Sequence, residues 1–181
     1  MSDMRNDLEK VLVSKEEISE IVKSLGQQIS KDYEGKEPIL ITVLKGAFIF
    51  MADLVREITI PCTLDFMAVS SYGSGTETSG KVRIIKDLET NIEGKDVIIV
   101  EDILDSGVTL SHLIELLNAR KPNSIKVCTL FHKPERQKVQ IDVAYKGANV
   151  PNEFIVGYGL DYAEKYRNLP DVCVLKREIY E

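Results

Sequence analysis

Val97-Ile98-Ile99-Val100-Glu101-Asp102-Ile103-Leu104-Asp105-Ser106-Gly107-Val108-Thr109-Leu110 is the stretch that decides the fold. Four β-branched apolar residues in succession are too continuous for a strand with one wet face, so residues 95–100 predict a central strand covered on both sides. The chain then meets two adjacent carboxylates, a short loop holding a third, and a glycine flanked by hydroxyls. Leu110, Leu113, Ile114 and Leu117 next recur at helical spacing, which predicts a helix over 109–120 that Pro122 ends. Strand, polar loop and helix make the repeating unit of a largely parallel α/β sheet, and such sheets bind ligands at the carboxyl ends of their strands. The helix start offers free N–H groups and the positive end of a dipole. Gly107 permits close approach and Ser106 and Thr109 add donors, so a phosphate suits this loop. Glu101 and Asp102 suit hydroxyls or a hard cation such as Mg²⁺ instead. Any one of these acids alone reads as a helix cap or solvated charge; three of them where the fold places ligands read as a site.

Outward from this unit, Ser14-Lys15-Glu16-Glu17 has the form of a capping box, and Ile18, Ile21, Val22, Leu25 and Ile29 predict a helix over 15–31. Residues 38–44 read as a second buried strand, 47–57 as a helix and 63–70 as a strand. Residues 70–80 are nearly all Ser, Thr and Gly, which predicts a mobile loop, with the strands around it forming an antiparallel excursion. Further strands are expected at 82–86, 125–130, 141–144, 154–158 and 172–175. No internal repeat or linker interrupts the chain, so residues 1–181 read as one domain.

Composition narrows the function. The 181 residues carry 23 Lys+Arg against 29 Asp+Glu, a net charge of −6, which argues against a general nucleic-acid binder. Hydrophobic content of 44% and a mean hydropathy of −0.09 describe an ordinary globular chain. No apolar run approaches the roughly 18 residues of a membrane span, and no leader follows Met1, so a cytoplasmic location is expected. Cys62, Cys128 and Cys173 are odd in number, have no metal-ligand spacing and read as reduced core thiols.

Three further strand ends carry weaker signals. Leu44-Lys45-Gly46 places a cation and a flexible backbone after the first apolar strand, and Phe131-His132-Lys133 brings a second lysine to the same sheet edge. Phe154-Ile155-Val156-Gly157-Tyr158-Gly159-Leu160-Asp161-Tyr162 ends in glycines, aromatics and an acid, with Arg167 just beyond. Competing phosphate motifs fail: no G-x-x-x-x-G-K-[ST] run exists, and Gly73-x-Gly75 lacks the third glycine of a dinucleotide fingerprint.

Taken in order, these segments resemble the type I purine phosphoribosyltransferases, from about Val11 onward. The resemblance implies a central, mostly parallel sheet flanked by helices, with a small hood over the base built from the N- and C-terminal segments. It implies Mg²⁺-dependent transfer of the 5-phosphoribosyl group from phosphoribosyl pyrophosphate to N9 of hypoxanthine or guanine, giving IMP or GMP and pyrophosphate. By similarity, Asp105, Ser106, Gly107, Val108 and Thr109 hold the 5′-phosphate, and Glu101 and Asp102 serve the ribose hydroxyls directly or through Mg²⁺. Lys45, Gly46 and Arg167 contact pyrophosphate, with a cis peptide at the Lys45 turn, and Asp161 ligates a second Mg²⁺. Lys133 donates to the purine 6-oxo group, Phe154 stacks on the ring and Ile155 offers its backbone to the exocyclic position, with Asp161 also counted among the base-binding residues. Asp105 sits near N7 as acid–base catalyst, and Ser71 and Tyr72 belong to a lid at about 70–81. Val108 stands where some relatives carry a charge. Homo-oligomers, dimers or tetramers, are usual in the family. A non-enzymatic regulator on the same fold should add a basic surface, and a phosphoacceptor domain should separate its acids onto two strands; neither pattern is present.

Overall fold

The computed structural model describes residues 3–71 and 82–181. In chain order it contains a 3₁₀ turn (Met4–Asp7), β1 (Leu8–Val13), α1 (Lys15–Asp32), β2 (Ile39–Val43), α2 (Phe48–Glu57), β3 (Thr63–Ser71), β4 (Val82–Lys86) and β5 (Asp96–Leu104). There follow α3 (Val108–Asn118), β6 (Ser124–His132), a second 3₁₀ turn (Pro134–Arg136), β7 (Tyr145–Asn149), β8 (Ile155–Val156), β9 (Val172–Leu175) and α4 (Arg177–Tyr180). Six strands form a sheet in the order β4-β3-β2-β5-β6-β7, and a second sheet has the order β1-β9-β8. Within the large sheet only β4 runs antiparallel, against β3 at the edge. The mostly parallel sheet and its antiparallel excursion are thus present, and β1, β8 and β9 form the small second sheet.

Side-chain alternation explains the layers. Along β5, Ile98 and Val100 enter the core beneath α1 and α2, while Val97 and Ile99 enter the core beneath α3. A strand with apolar side chains on both faces needs cover on both, and the helices provide it. The capping box at Ser14 forms as expected: Ser14 Oγ accepts from Glu17 N–H at 3.2 Å and Glu17 Oε2 accepts from Ser14 N–H at 2.8 Å. From there Ile18, Val22, Leu25 and Ile29 bury one stripe of α1.

Some boundaries differ from the sequence reading. β5 runs on through Glu101 and Asp102 to Leu104, and β6 to His132, because the two strands stay paired in register as far as Leu104↔His132. Polarity ends the apolar run without ending the hydrogen-bond ladder. The strand expected at 141–144 does not form. Ile141, Val139 and Val143 pack into the core beneath α3 from irregular backbone, and pairing with β6 begins only at Cys128↔Tyr145. The strand expected at 154–158 shortens to β8, because Gly157 and Tyr158 adopt φ of 101° and 50° and turn the chain away. β1, whose alternation is interrupted by Glu9 and Lys10, becomes a strand through its pairing with β9.

Candidate active site

From β2 the chain passes through α2 to β3 on one side of the sheet; from β5 it passes through α3 to β6 on the other. The neighbouring carboxyl ends of β2 and β5 are therefore a topological switch point, where a crevice opens between diverging connections. A cavity of about 290 Å³ lies there, lined by Leu44, Gly46, Asp102, Asp105, Ser106 and Thr109 among others. The Leu44–Lys45 peptide is cis. A Cβ on Gly46 would collide with the Asp102 carboxylate, and one on Gly159, whose φ is 98°, would collide with the Gly46 carbonyl. The turn after β2 thus packs against the backbone of the turn after β8 and against the Asp102 side chain at the end of β5, close approaches that glycine permits. A larger cavity of about 600 Å³, lined by Lys15, Asp53, Arg56 and Tyr158 among others, contains none of the β5 acids.

Glu101 and Asp102 project into the crevice partly buried. Burial, reinforced by the Asp102 charge, pushes Glu101 up to about 8. Burial likewise pushes Asp102 up to about 6, against the opposing pull of backbone N–H groups and Arg167. Two carboxyls raised in this way are poised to receive a cation or hydroxyl donors. Their oxygens suit Mg²⁺ chemically, yet among the described residues no group of three or more His, Cys, Asp or Glu side chains could hold a metal by itself. A cation here would therefore complete its shell with substrate oxygens and water, as Mg²⁺ commonly does.

A pH dependence follows. The folded apo chain keeps protons on both groups where the unfolded chain has already lost them, so unfolding releases protons. Stability contributed by this pair is full below about pH 4 and is lost as the pH climbs through 6 and 8. The thermal midpoint without metal should fall over that window in wild type and fall less in Glu101→Gln. Mg²⁺ should raise it more at pH 8 than at pH 5. Equal pH slopes for the two proteins in a thermal-shift series would contradict this.

The loop that leads into α3 is preorganised by backbone. Gly107, at φ 79°, is the N-cap of α3, and its left-handed conformation turns the chain into the helix with no capping side chain of its own. Val108 N–H donates to Ser106 Oγ at 3.3 Å, and Ser106 O accepts from Lys138 N–H at 2.9 Å and Val139 N–H at 3.2 Å. Ser106, Gly107, Val108 and Thr109 therefore stand together at the N-terminus of an eleven-residue helix, a ready anion site.

Around this loop the remaining residues fall into two groups. Lys133 is 9% exposed, and its Nζ donates to Glu153 O at 2.7 Å. Burial pushes its ammonium below the usual lysine range, with Asp105 opposing and Arg136 adding to the shift. The Phe154 ring is stacked on Tyr180 at 4.6 Å, with Tyr162 edge-on at 5.7 Å, and the residue is 37% exposed. Ile155 buries its side chain in the core, leaving its backbone as the part that could read a ligand. In the second group, Lys45 pairs with Glu164 at 3.0 Å, and Arg167 pairs with Asp161 at 3.2 Å while donating to Gly159 O at 2.7 Å. Ser71 closes β3; Tyr72 and residues 73–81 lie outside the described residues. Cys62, Cys128 and Cys173 are free thiols, the latter two buried.

Two neighbours of these residues escaped the sequence reading. Arg136 Nε donates to Asp105 Oδ1 at 2.6 Å, and Glu164 bridges Lys45 and Arg167. Arg136 lies three residues past Lys133 in a Pro-Glu-Arg turn, a pattern indistinguishable from an ordinary exposed loop.

The crevice thus brings a helix N-terminus and a carboxylate pair together at one switch point, and residues 12–163 match the phosphoribosyl transferase domain family. The chain is 56% identical over 177 residues to the hypoxanthine-guanine phosphoribosyltransferase of Streptococcus thermophilus (strain CNRZ 1066), covering 98% of each. It overlays a crystal structure of hypoxanthine phosphoribosyltransferase from Staphylococcus aureus with a TM-score of 0.97 at 52% identity, covering 99% of this chain and 98% of that one. It is also 52% identical to the bifunctional protein TilS/HprT of Listeria monocytogenes serotype 4b (strain F2365), of whose length it spans only 27%. The chain belongs to the hypoxanthine-guanine phosphoribosyltransferase family of type I phosphoribosyltransferases. No helix among the described residues is long and apolar enough to cross a membrane.

Proposed function

We propose that this chain, as a single domain, transfers the 5-phosphoribosyl group from phosphoribosyl pyrophosphate to N9 of hypoxanthine or guanine, releasing pyrophosphate and IMP or GMP in purine salvage. The observation that carries the reading is the meeting, at one switch point, of the Glu101-Asp102 pair, the Asp105–Thr109 loop and the Leu44–Gly46 turn. The N-terminus of α3 holds the 5′-phosphate, with the backbone of Ser106, Gly107, Val108 and Thr109 donating. Glu101 and Asp102 accept from the ribose hydroxyls and stabilise the positive, oxocarbenium-like charge that grows on the sugar. Lys45, Gly46 and Arg167 hold the departing pyrophosphate, so the Glu164 pairs of Lys45 and Arg167 open to receive it. Mg²⁺, held by Glu101 and Asp102 and, for a second ion, Asp161, would neutralise charge on the phosphoryl oxygens.

On the base side, Lys133 donates to O6, Phe154 stacks on the ring and the Ile155 backbone meets the exocyclic position. As the bond from N9 to C1′ forms and the bond from C1′ to pyrophosphate breaks, the proton on N7 passes to Asp105. Ser71 and Tyr72 belong to the lid that excludes water from the reactive sugar. The test is initial rates with phosphoribosyl pyrophosphate and hypoxanthine, guanine, xanthine or adenine, with Mg²⁺ or with EDTA. Turnover of 6-oxopurines that EDTA abolishes is expected; no 6-oxopurine turnover would sink the reading.

Cytoplasmic location and homo-oligomerisation belong to the same proposal, without nucleic-acid or membrane partners. An apolar face formed by Phe48, Met51, Ala52, Val55, Leu64 and Phe66 supports association, with Phe48 and Leu64 each more than 40% exposed. Light scattering should return a dimer or tetramer, and a monomer at micromolar concentration would contradict it.

A further inference from the structure

The Arg136–Asp105 pair has no part in the steps above, and its geometry is specific. The two residues sit on segments stitched together by backbone: Lys133 N–H donates to Leu104 O at 2.9 Å, and Lys138 N–H and Val139 N–H both donate to Ser106 O. Between these anchors the Pro134–Arg136 turn closes with Arg136 N–H donating to Lys133 O at 3.1 Å. The ordering cost that makes most surface ion pairs worthless is reduced when the backbone on both sides is already fixed. The contact is also one-sided. Arg136 Nε engages Asp105 Oδ1, and Oδ2 makes no hydrogen bond among the described residues. In the same corner Lys133 feels the charges of both Asp105 and Arg136.

We propose that Arg136 is a positioning residue for the proton step: it clamps the Asp105 carboxylate through Oδ1 so that Oδ2 is held ready for the proton on purine N7. This rests on the reading of Asp105 as the acid–base group. A planar guanidinium fixes a carboxylate in direction as well as in charge, so a lysine at this position should restore the charge and only part of the orientation. Arg136 touches neither purine nor sugar in this role, and its effect passes entirely through Asp105.

The experiment is a double-mutant cycle with hypoxanthine at saturating phosphoribosyl pyrophosphate and Mg²⁺, using wild type, Asp105→Asn, Arg136→Gln and the double variant, with Arg136→Lys alongside. Arg136→Gln should lower kcat roughly tenfold, a fraction of what an acid–base group supplies. KM for phosphoribosyl pyrophosphate should stay within about twofold, and in the Asp105→Asn background Arg136→Gln should change kcat by no more than about twofold. Arg136→Lys should recover part of the loss; should the Gln variant not fold, the Lys variant and its own cycle with Asp105→Asn carry the same test. Additive losses in the double variant, an unchanged kcat, or a loss confined to KM for phosphoribosyl pyrophosphate would overturn the proposal. If Asp105→Asn itself leaves kcat intact, the acid–base reading falls and the clamp with it, an outcome separable from failure of the clamp alone.

Discussion

Replacing Asp105 by Asn is expected to lower kcat for hypoxanthine by about 10²-fold while moving both KM values only a few-fold, as befits loss of a group that acts only while the proton moves. Asparagine has the size of aspartate, and its amide oxygen still accepts from Arg136 Nε, so the loop from Leu104 to Thr109 keeps its shape. What the amide lacks is the ability to take a proton at neutral pH. In the proposed mode the 5′-phosphate is bound by backbone N–H groups at the start of α3, which the substitution leaves alone. Steady-state rates over a grid of both substrates separate the parameters. A kcat within about twofold of wild type, or a loss carried entirely by KM for phosphoribosyl pyrophosphate, would remove Asp105 from the proton step.

Lys133→Ala should act differently. The proposed contact with O6 would be made in both ground and transition states, so the loss should fall on KM for hypoxanthine, by roughly 10- to 100-fold for a charged hydrogen bond, with kcat comparatively spared. The larger effect is on selectivity. An ammonium at the 6-position rewards an oxo acceptor and leaves a 6-amino group facing another donor, and sites of that kind discriminate by about 10⁴-fold or more. Removing the donor should narrow the hypoxanthine-to-adenine ratio of kcat/KM by on the order of 10²-fold. Lys133 is only 9% exposed and also donates to Glu153 O, so the variant leaves that carbonyl to find another partner. Its melting temperature should be measured beside its kinetics. An unchanged ratio at unchanged stability would show that something other than Lys133 reads the 6-position.

The net charge of −6 and the anionic substrates are reconciled by placement. The positive end of the α3 dipole faces the crevice, Arg136 donates to Asp105, Arg167 acts on Asp102, and Lys133 lies within reach of the Asp105 charge. Glu101 and Asp102 are the same fact seen from the acid side: either alone reads as solvated charge, the cluster after the strand reads as a site, and burial, with the Asp102 charge adding at Glu101, raises them to about 8 and about 6.

The division between sequence and structure is physical. The α/β layering, the capping box at Ser14 and the run from the 101–102 acids through the 105–109 loop into α3 were legible because each is written in local periodicity or in a motif a few residues long. Strand limits were less so: the 141–144 segment carries strand-like alternation, yet its side chains fill a core from irregular backbone. Lys45, Lys133, Phe154, Asp161 and Arg167 carried only weak local signals, and the resemblance gave them their roles. What tertiary structure alone decided are the contacts between distant segments. Leu8 pairs with Leu175 to build the second sheet, Gly159 packs on Gly46 to seat the turn after β2, and Arg136 reaches back to Asp105. No sequence period encodes these meetings. They depend on strand order, register and the burial of whole faces, and so the elements were written along the chain while the crevice between β2 and β5 existed only once the chain had folded around it.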